Sequence, residues 1–483
     1  MTAADNRSRW LSLVVLCVGM LMIVLDATVV NVALPSIQSD LDFSASSLAW
    51  VVNAYLIAFG GLLLLAGRLG DLIGRRTVFL VGLAAFTVAS ALCGAAQSQE
   101  MLIAARFVQG VAGALTSAVI LGMIVTMFSS PRDQAKAIGV YGFVASSGGS
   151  IGLLAGGVLT QAISWHWIFF VNVPIGVATA IFALRLLPKD KGIGFGGGAD
   201  VPGAVLITGA LMLLVYTIVE PAAKYGWGAG RTLGLGAGAL ALVVAFLVRE
   251  ATAANPLIPL RIFRSRNIAG ANAVQALAVA GMFGMFFLGA LYLQHILGYD
   301  ALQTGLAFLP STLVMAAWSL GFSERLITRF GAQNTLVPGL VLIGAALALF
   351  TQAPVDGEYA VHVLPVMVLL GTGAGIAFPA LMTLAMSDAT PADAGLASGL
   401  VNTTVQVGGA IGLAVLATLS ATRSEDLVAA GRTQAAALTD GYHLAFAIGA
   451  VLVAVAITVA VTVLRRPRAT EPAPVTEPAY EIG

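Results

Sequence analysis

Charge is what this sequence has least of. Only 10% of its 483 residues are Asp, Glu, Lys or Arg, against 59% hydrophobic, where soluble domains carry about 25% charged residues. With a mean hydropathy of +0.94, such a chain belongs in a lipid bilayer. Cysteine is nearly missing as well. Cys17 and Cys93 both fall inside apolar runs, where they read as small buried hydrophobes, and a disulfide framework is excluded. No G-x-x-x-x-G-K-[ST] phosphate loop occurs, which excludes the usual ATP-driven pump. Long polar stretches are few: GIGFGGGAD (192–200), a loop at 421–440, and the Pro- and Glu-rich end of the chain, 467–483, whose composition predicts a disordered tail. Loops this short leave no room for a catalytic cluster, so no enzyme activity, cofactor or metal site is expected. The net charge of +1 offers nucleic acid no attraction.

What is present is apolar length. About 20 apolar residues cross a bilayer as a helix. Charge-poor stretches run from 10–39, broken by Asp26, through to 441–464, and the longest, 137–184, is divided by the interfacial cluster Trp165-His166-Trp167. The total is 14 spans, with 232–248 the shortest. Arg7 and Arg9 precede the first run as in a signal peptide, but the run is too long and no small-residue cleavage site follows, so it reads as a retained span. With the N-terminus in the cytoplasm, all but five of the 24 Lys and Arg fall on that side, as the positive-inside rule requires. The exceptions are Lys224, Arg231, Arg423 and Arg432 outside, and Arg106 within a span. An even count keeps Arg465, Arg466 and Arg468 inside. The expectation is an all-α, multi-pass protein of the inner (cytoplasmic) membrane with both termini cytoplasmic, using an ion gradient or equilibrating its substrate.

Three motifs sharpen this. GRLGDLIGRR (67–76) is a tight turn in which an acid and arginines are close enough to pair, with a weaker echo, ERLITRFGAQ, at 324–333. Repeats of this kind mark two related transporter halves. LIAARFVQGVAGAL (102–115) carries Arg106 in apolar surroundings, a placement costing at least about 2.5 kcal/mol on insertion scales. It needs a partner, water, or the outer interface to snorkel to. GVYGFVASSGGSIGLLAGGVL (139–159) places glycines at 139, 148, 152, 156 and 157, a stripe that lets helix backbones approach closely.

The three together resemble the major facilitator superfamily, and within it the 14-helix drug:proton antiporters. WHWIFFVNVPIG (165–176), DVPGAVLITGALMLL (200–214), YLQHILGYDALQTGLAFLP (292–310) and LDATVVNVALP (25–35) are similar to that branch's signatures, so the resemblance spans nearly the whole chain. It implies two six-helix bundles, 10–187 and 251–466, joined by a linker with two extra spans (188–250) and flanked by a cytoplasmic tail at 1–9. Gly67, Asp71, Gly74, Arg75 and Arg76 take the place of the family's cytoplasmic latch. Gly139, Gly148, Gly152, Gly156 and Gly157 match its antiporter motif, although Leu153 stands where the family has proline and His166 where it has arginine. The implied function is proton-coupled export of lipophilic or cationic drugs or antibiotics by a monomer in the bilayer. Transport of a metabolite such as an amino acid, siderophore or sugar is the alternative that Leu153 keeps open.

Asp26 is the acid furthest from any span end. A helix rises about 1.5 Å per residue, so it lies roughly 24 Å along from Trp10, at a depth that Arg106 also reaches. An Asp26–Arg106 contact is therefore expected, with Gln109 as a further donor. Two readings follow: Asp26 carries the coupling proton, or it pins helices together through Arg106 or Asn31. Span position alone offers Asn31, Tyr55, Gln109, Gln275, Tyr292 and Gln294 as cavity residues. Met282, Phe283, Met285 and Phe286 are expected to line a cavity or to face lipid.

Overall fold

The computed structural model describes residues 3–44, 46–128, 130–190, 192, 194, 198–388 and 394–464, with backbone only at 3–7, at scattered positions in 131–150, and at 320, 394 and 395. The expected disordered tail at 467–483 and the basic cluster before it lie outside these residues.

The chain folds into long helices because a bilayer offers no water to backbone groups, so each span satisfies its own. The first six are α1 (Ala3–Asp40), α2 (Trp50–Ile73), α3 (Arg75–Gly94), α4 (Gln99–Met127), α5 (Pro131–Ala162) and α6 (Asn172–Leu186). Two follow in the middle, α7 (Val201–Thr217) and α8 (Gly230–Thr252). The last six are α9 (Arg266–Leu291), α10 (Ala301–Gly321), α11 (Ala332–Phe350), α12 (Leu364–Met386), α13 (Ala394–Ala429) and α14 (Gln434–Thr462). Among the described residues thirteen helices are long and apolar enough to cross a membrane, and α5, with 32 residues, makes the fourteenth. Starts are marked by capping side chains: Ser98, Asp200, Ser265 and Asp300 each accept a backbone N–H three residues on. The helix α1 begins at Ala3, inside the segment expected to be a tail.

One expectation fails. The polar stretch 421–440 is almost entirely helical, since α13 runs on to Ala429 and α14 starts at Gln434. Its alanines are good helix formers whatever the polarity around them, and only Gly431, with φ +88°, breaks the run. Arg432 and Asp440 then form an ion pair across the short turn.

Helices α1–α6 pack among themselves and α9–α14 do likewise, giving two six-helix bundles. They meet along two seams, α2 against α13 and α5 against α10. Helix α7 lies against α2, and α8 packs mainly on α7, so the extra pair flanks the bundles rather than lining their centre.

The glycine stripe explains how closely α5 approaches α1. A β-carbon at Gly148 would sit 2.9 Å from the Val24 side chain, and one at Gly156 would sit 2.7 Å from the Val29 carbonyl oxygen. Gly157 faces the other bundle, where its β-carbon would lie 2.8 Å from backbone atoms of Ala301 and Leu302. Gly139 belongs to the first part of α5, and its side-chain surroundings fall outside the described residues. The helix is continuous through Leu153, as expected without the kink-forming proline, and Leu153 itself is buried. Replacing Gly156 by valine is expected to destabilise the protein by about 1–3 kcal/mol through overpacking, read as a lower thermal midpoint in detergent. An unchanged midpoint would mean that α1 yields freely.

Candidate functional site

Asp26 is fully buried, and it is held by three side chains from two other helices. Arg106 of α4 donates Nη1 to Asp26 Oδ2 at 2.5 Å, Gln109 of α4 donates Nε2 to Oδ1 at 2.7 Å, and Asn172 of α6 donates Nδ2 to Oδ1 at 3.0 Å. Arg106 spreads its charge further. Its Nε donates to the Val51 carbonyl of α2 at 2.9 Å, its Nη1 to Gln109 Oε1 at 2.7 Å, and its guanidinium lies 4.4 Å from the Tyr55 ring centre. Gln109 also donates to Ser90 of α3 at 2.7 Å. Five helices thus meet on one acid and one base, with Arg106 itself only 1% exposed. Three donors converge on the carboxylate, two on Oδ1 and one on Oδ2.

A cavity of about 830 Å³ lies beside this network. It runs from the bundle centre, at Ala27, Thr28, Tyr55 and Gln406, to the end that carries GRLGDLIGRR, where Arg68, Asp71 and Arg75 line it. At the other end the bundles are closed on each other. Gln294 donates to the Val32 carbonyl at 2.9 Å, and a β-carbon at Gly305 of α10 would lie 2.5 Å from the Leu153 carbonyl oxygen. The cavity therefore opens toward one membrane face only. Its wall mixes apolar side chains such as Met20, Ile23 and Phe59 with Thr28, Tyr55, Asn402 and Gln406. Among the described residues, the Tyr55 hydroxyl and Gln406 Oε1 have no hydrogen-bond partner.

Asp26 is not part of that wall. Met20, Ile23, Val24, Ala27 and Thr28 are the α1 residues that face the cavity, and Asp26 turns away from it into the bundle. Tyr55 stands between, lining the cavity with one side of its ring and covering Arg106 with the other.

Of the six cavity residues offered by span position, Tyr55 lines the cavity. Gln109 is committed to Asp26 and Ser90, Gln294 clasps α1, and Tyr292 donates to the Pro354 carbonyl at 2.6 Å. Gln275 is buried within α9, and Asn31 lies outside both the cavity wall and the hydrogen bonds of Asp26. Met285 is fully buried, Phe286 packs 5.5 Å from Phe308, and Phe283 packs against Gly409. These residues build the second bundle's interior.

The latch motif forms a compact knot. Asp71 and Arg75 pair at 3.1 Å, and Arg75 also donates to the Gly122 carbonyl at 2.9 Å. Gly74 turns the chain at φ +98°, a conformation open to glycine at little cost. Arg76 donates to the Leu184 carbonyl at 2.6 Å, while Gly67 has open space around it. The sequence did not point to Asp190, which accepts the backbone N–H groups of Arg75 and Arg76 at 2.5 and 3.1 Å and so caps α3. In the echo, Gly331 repeats the turn at φ +84° before α11. Replacing Asp190 by alanine is expected to cost about 1 kcal/mol as a lost helix cap, measurable as a lower thermal midpoint, with Asp190→Asn recovering part of it.

This arrangement of two helix bundles agrees with comparison to known proteins. Residues 16–413 match the model of the Major Facilitator Superfamily. The chain belongs to that superfamily. It is 40% identical to the puromycin resistance protein pur8 of Streptomyces alboniger over 92% of its length and 89% of the relative's. It is also 40% identical to the cephamycin export protein CmcT of Amycolatopsis lactamdurans, covering 85% of this chain and 84% of that one. Similarity extends to the lincomycin resistance protein of Streptomyces lincolnensis, at 37% identity over 86% and 85%. Among solved structures, a bacterial homolog of the human lysosomal transporter Spinster, in an inward-facing and unoccupied conformation, superposes with a TM-score of 0.68 at 16% identity, covering 94% and 96% of the two chains. That likeness is one of fold. As a superfamily member the protein is a multi-pass membrane transporter.

Proposed function

We propose that this superfamily member exports antibiotics or related lipophilic and cationic drugs across the cytoplasmic membrane in exchange for protons, by alternating access. The cavity carries the proposal. Ligand pockets for drug-sized molecules occupy about 300–1,000 Å³, and this one has a largely apolar wall with two unpartnered polar groups, on Tyr55 and Gln406. The relatives named for puromycin resistance, cephamycin export and lincomycin resistance support the direction of transport and the substrate class. Basic residues cluster at the end where the cavity opens, which makes that end cytoplasmic under the positive-inside rule and the conformation inward-open.

Proton coupling rests on competition for one carboxylate. In the inward-open state Arg106, Gln109 and Asn172 all donate to Asp26, with Arg106 alone on Oδ2. Withdrawal of Arg106 leaves Oδ2 to a proton, and Tyr55, which lies over Arg106 and lines the cavity, is where substrate acts on that choice. Proton-bound and arginine-bound Asp26 are then the two states that an exchange cycle requires.

Expression in a drug-sensitive host, tested across several antibiotic classes, is the direct test. Resistance to at least one class is expected, together with ethidium efflux that collapses on adding a protonophore. Unchanged sensitivity across the panel, or efflux indifferent to the protonophore, would sink the proposal.

A further inference from the structure

The chain that leaves the extra helix pair passes along the mouth of the cavity before it enters the second bundle. Residues 253–265 join α8 to α9, and Ala254, Asn255, Pro256, Leu257 and Pro259 form part of the cavity wall. This stretch is held at two points. Leu257 is buried in a small apolar cluster with Leu65 of α2, Ala204 of α7 and Phe246 of α8. Glu250, in the last turn of α8, reinforces that point by accepting the Ile258 backbone N–H at 2.9 Å. Five residues after Leu257, Ile262 is buried in another small cluster, with Ile268 of α9 and Ala397 and Leu400 of α13. Ile258 packs against both clusters.

One anchor therefore belongs to the first bundle with its extra helices, and the other to the second bundle. A cavity that opens between two bundles toward one face requires them to part at that face, as rigid bodies about their shared interface. A chain spans at most about 3.3–3.6 Å per residue, so the link between Leu257 and Ile262 reaches no more than roughly 17 Å. The tight helical turn at Leu260–Arg264 shortens that reach, and Pro256 and Pro259 stiffen the stretch by fixing their own φ. Bundles joined by so short a link cannot separate further at this point without pulling one anchor out of its cluster.

We propose that residues 257–262 are a tether of fixed length that sets how widely the cavity mouth opens, and so the largest molecule the cavity admits. Leu257 and Glu250 are its positioning residues. The extra helix pair then has a task within the transporter, because it flanks the bundles and holds the tether's first anchor against α2. The width follows from the fold alone; its consequence for substrate size rests on the protein being the exporter proposed above.

Distances between spin labels on the two bundles test it, in the full-length protein in lipid nanodiscs. Thr126→Cys at the end of α4 and Thr328→Cys in the echo motif place the labels at exposed positions, with Cys17→Ala and Cys93→Ala removing the native thiols. Inserting Gly-Ser-Gly between Pro259 and Leu260 keeps both anchors and adds up to about 10 Å of reach. The measured distances should then extend beyond those of the protein without the insertion, and an unchanged distribution would overturn the proposal. Should the insertion variant fail to accumulate, Leu257→Ala carries the test by loosening the first anchor, with the same two outcomes. Glu250→Ala should lengthen the distances while Glu250→Gln, whose side-chain oxygen still accepts from Ile258, should not; equal distances in the two would strike Glu250 from the tether. In whole cells, efflux of the bulkier dye rhodamine 6G should rise relative to ethidium in the insertion variant. Longer distances with an unaltered efflux ratio would overturn the link to substrate size. A wild type that exports neither dye would count against the exporter reading, and the distances alone would then decide the tether.

Discussion

Arg106→Ala is expected to destabilise this transporter by about 3–5 kcal/mol, the range for removing one partner of a buried ion pair. The substitution leaves Asp26 with two amide donors and no cation, at a site with no solvent exposure. It also strips a donor from the Val51 carbonyl, empties the space beneath Tyr55, and removes one contact of Gln109. Because α1, α2, α3, α4 and α6 all converge here, the loss spreads through the first bundle. Thermal unfolding in detergent is the measurement, with a large drop or failure to accumulate as the expected result. Arg106→Lys should not rescue it, since an ammonium lacks the planar fork that serves Asp26, Gln109 and Val51 at once. Asp26→Asn combined with Arg106→Ala should cost less than the two changes summed, because neither charge is then left unpaired. A double variant as unstable as the sum would mean that the pair contributes nothing as a pair.

The pairing of Asp26 with Arg106 was legible because charge is so scarce. With so few intramembrane charges, depth alone brings the two together, and Gln109 follows one helical turn from Arg106. Asn172 and Ser90 were not legible. Uncharged polar residues are common in apolar runs, and whether they face a neighbour depends on helix rotation, which hydropathy does not encode. The same blindness affected the cavity. Gln109, Gln275, Tyr292 and Gln294 have the right chemistry and depth, but their helices turn them elsewhere, and Gln406 faces the cavity without having been singled out. The latch divides in the same way: Asp71 and Arg75 are one turn apart and readable, whereas Asp190 reaches α3 only through the fold. Asp200 and Glu250 read as ordinary helix-end charges, which are normally solvated, until the packing of α7 on α8 buries both. Span number was readable throughout, because the bilayer demands apolar length whatever the packing.

Asp26→Asn is expected to abolish export driven by a pH gradient while leaving substrate exchange at equal pH intact. Asparagine fills nearly the same volume and keeps an oxygen to accept from Arg106, so the first bundle should fold and insert. It cannot bind and release a proton. In proteoliposomes, imposing a pH gradient should then produce no more uphill drug movement than empty vesicles show. Counterflow between labelled and unlabelled substrate needs only the alternation of the cavity, and it should continue. This pairing of assays separates the two roles that the network allows. If Asp26 only pins helices, Asp26→Asn should lower stability and both transport modes together, and whatever transport survives should still respond to the gradient. Gradient-driven export surviving in Asp26→Asn would assign the proton elsewhere and leave the Asp26–Arg106 pair as the clamp that holds five helices around the cavity.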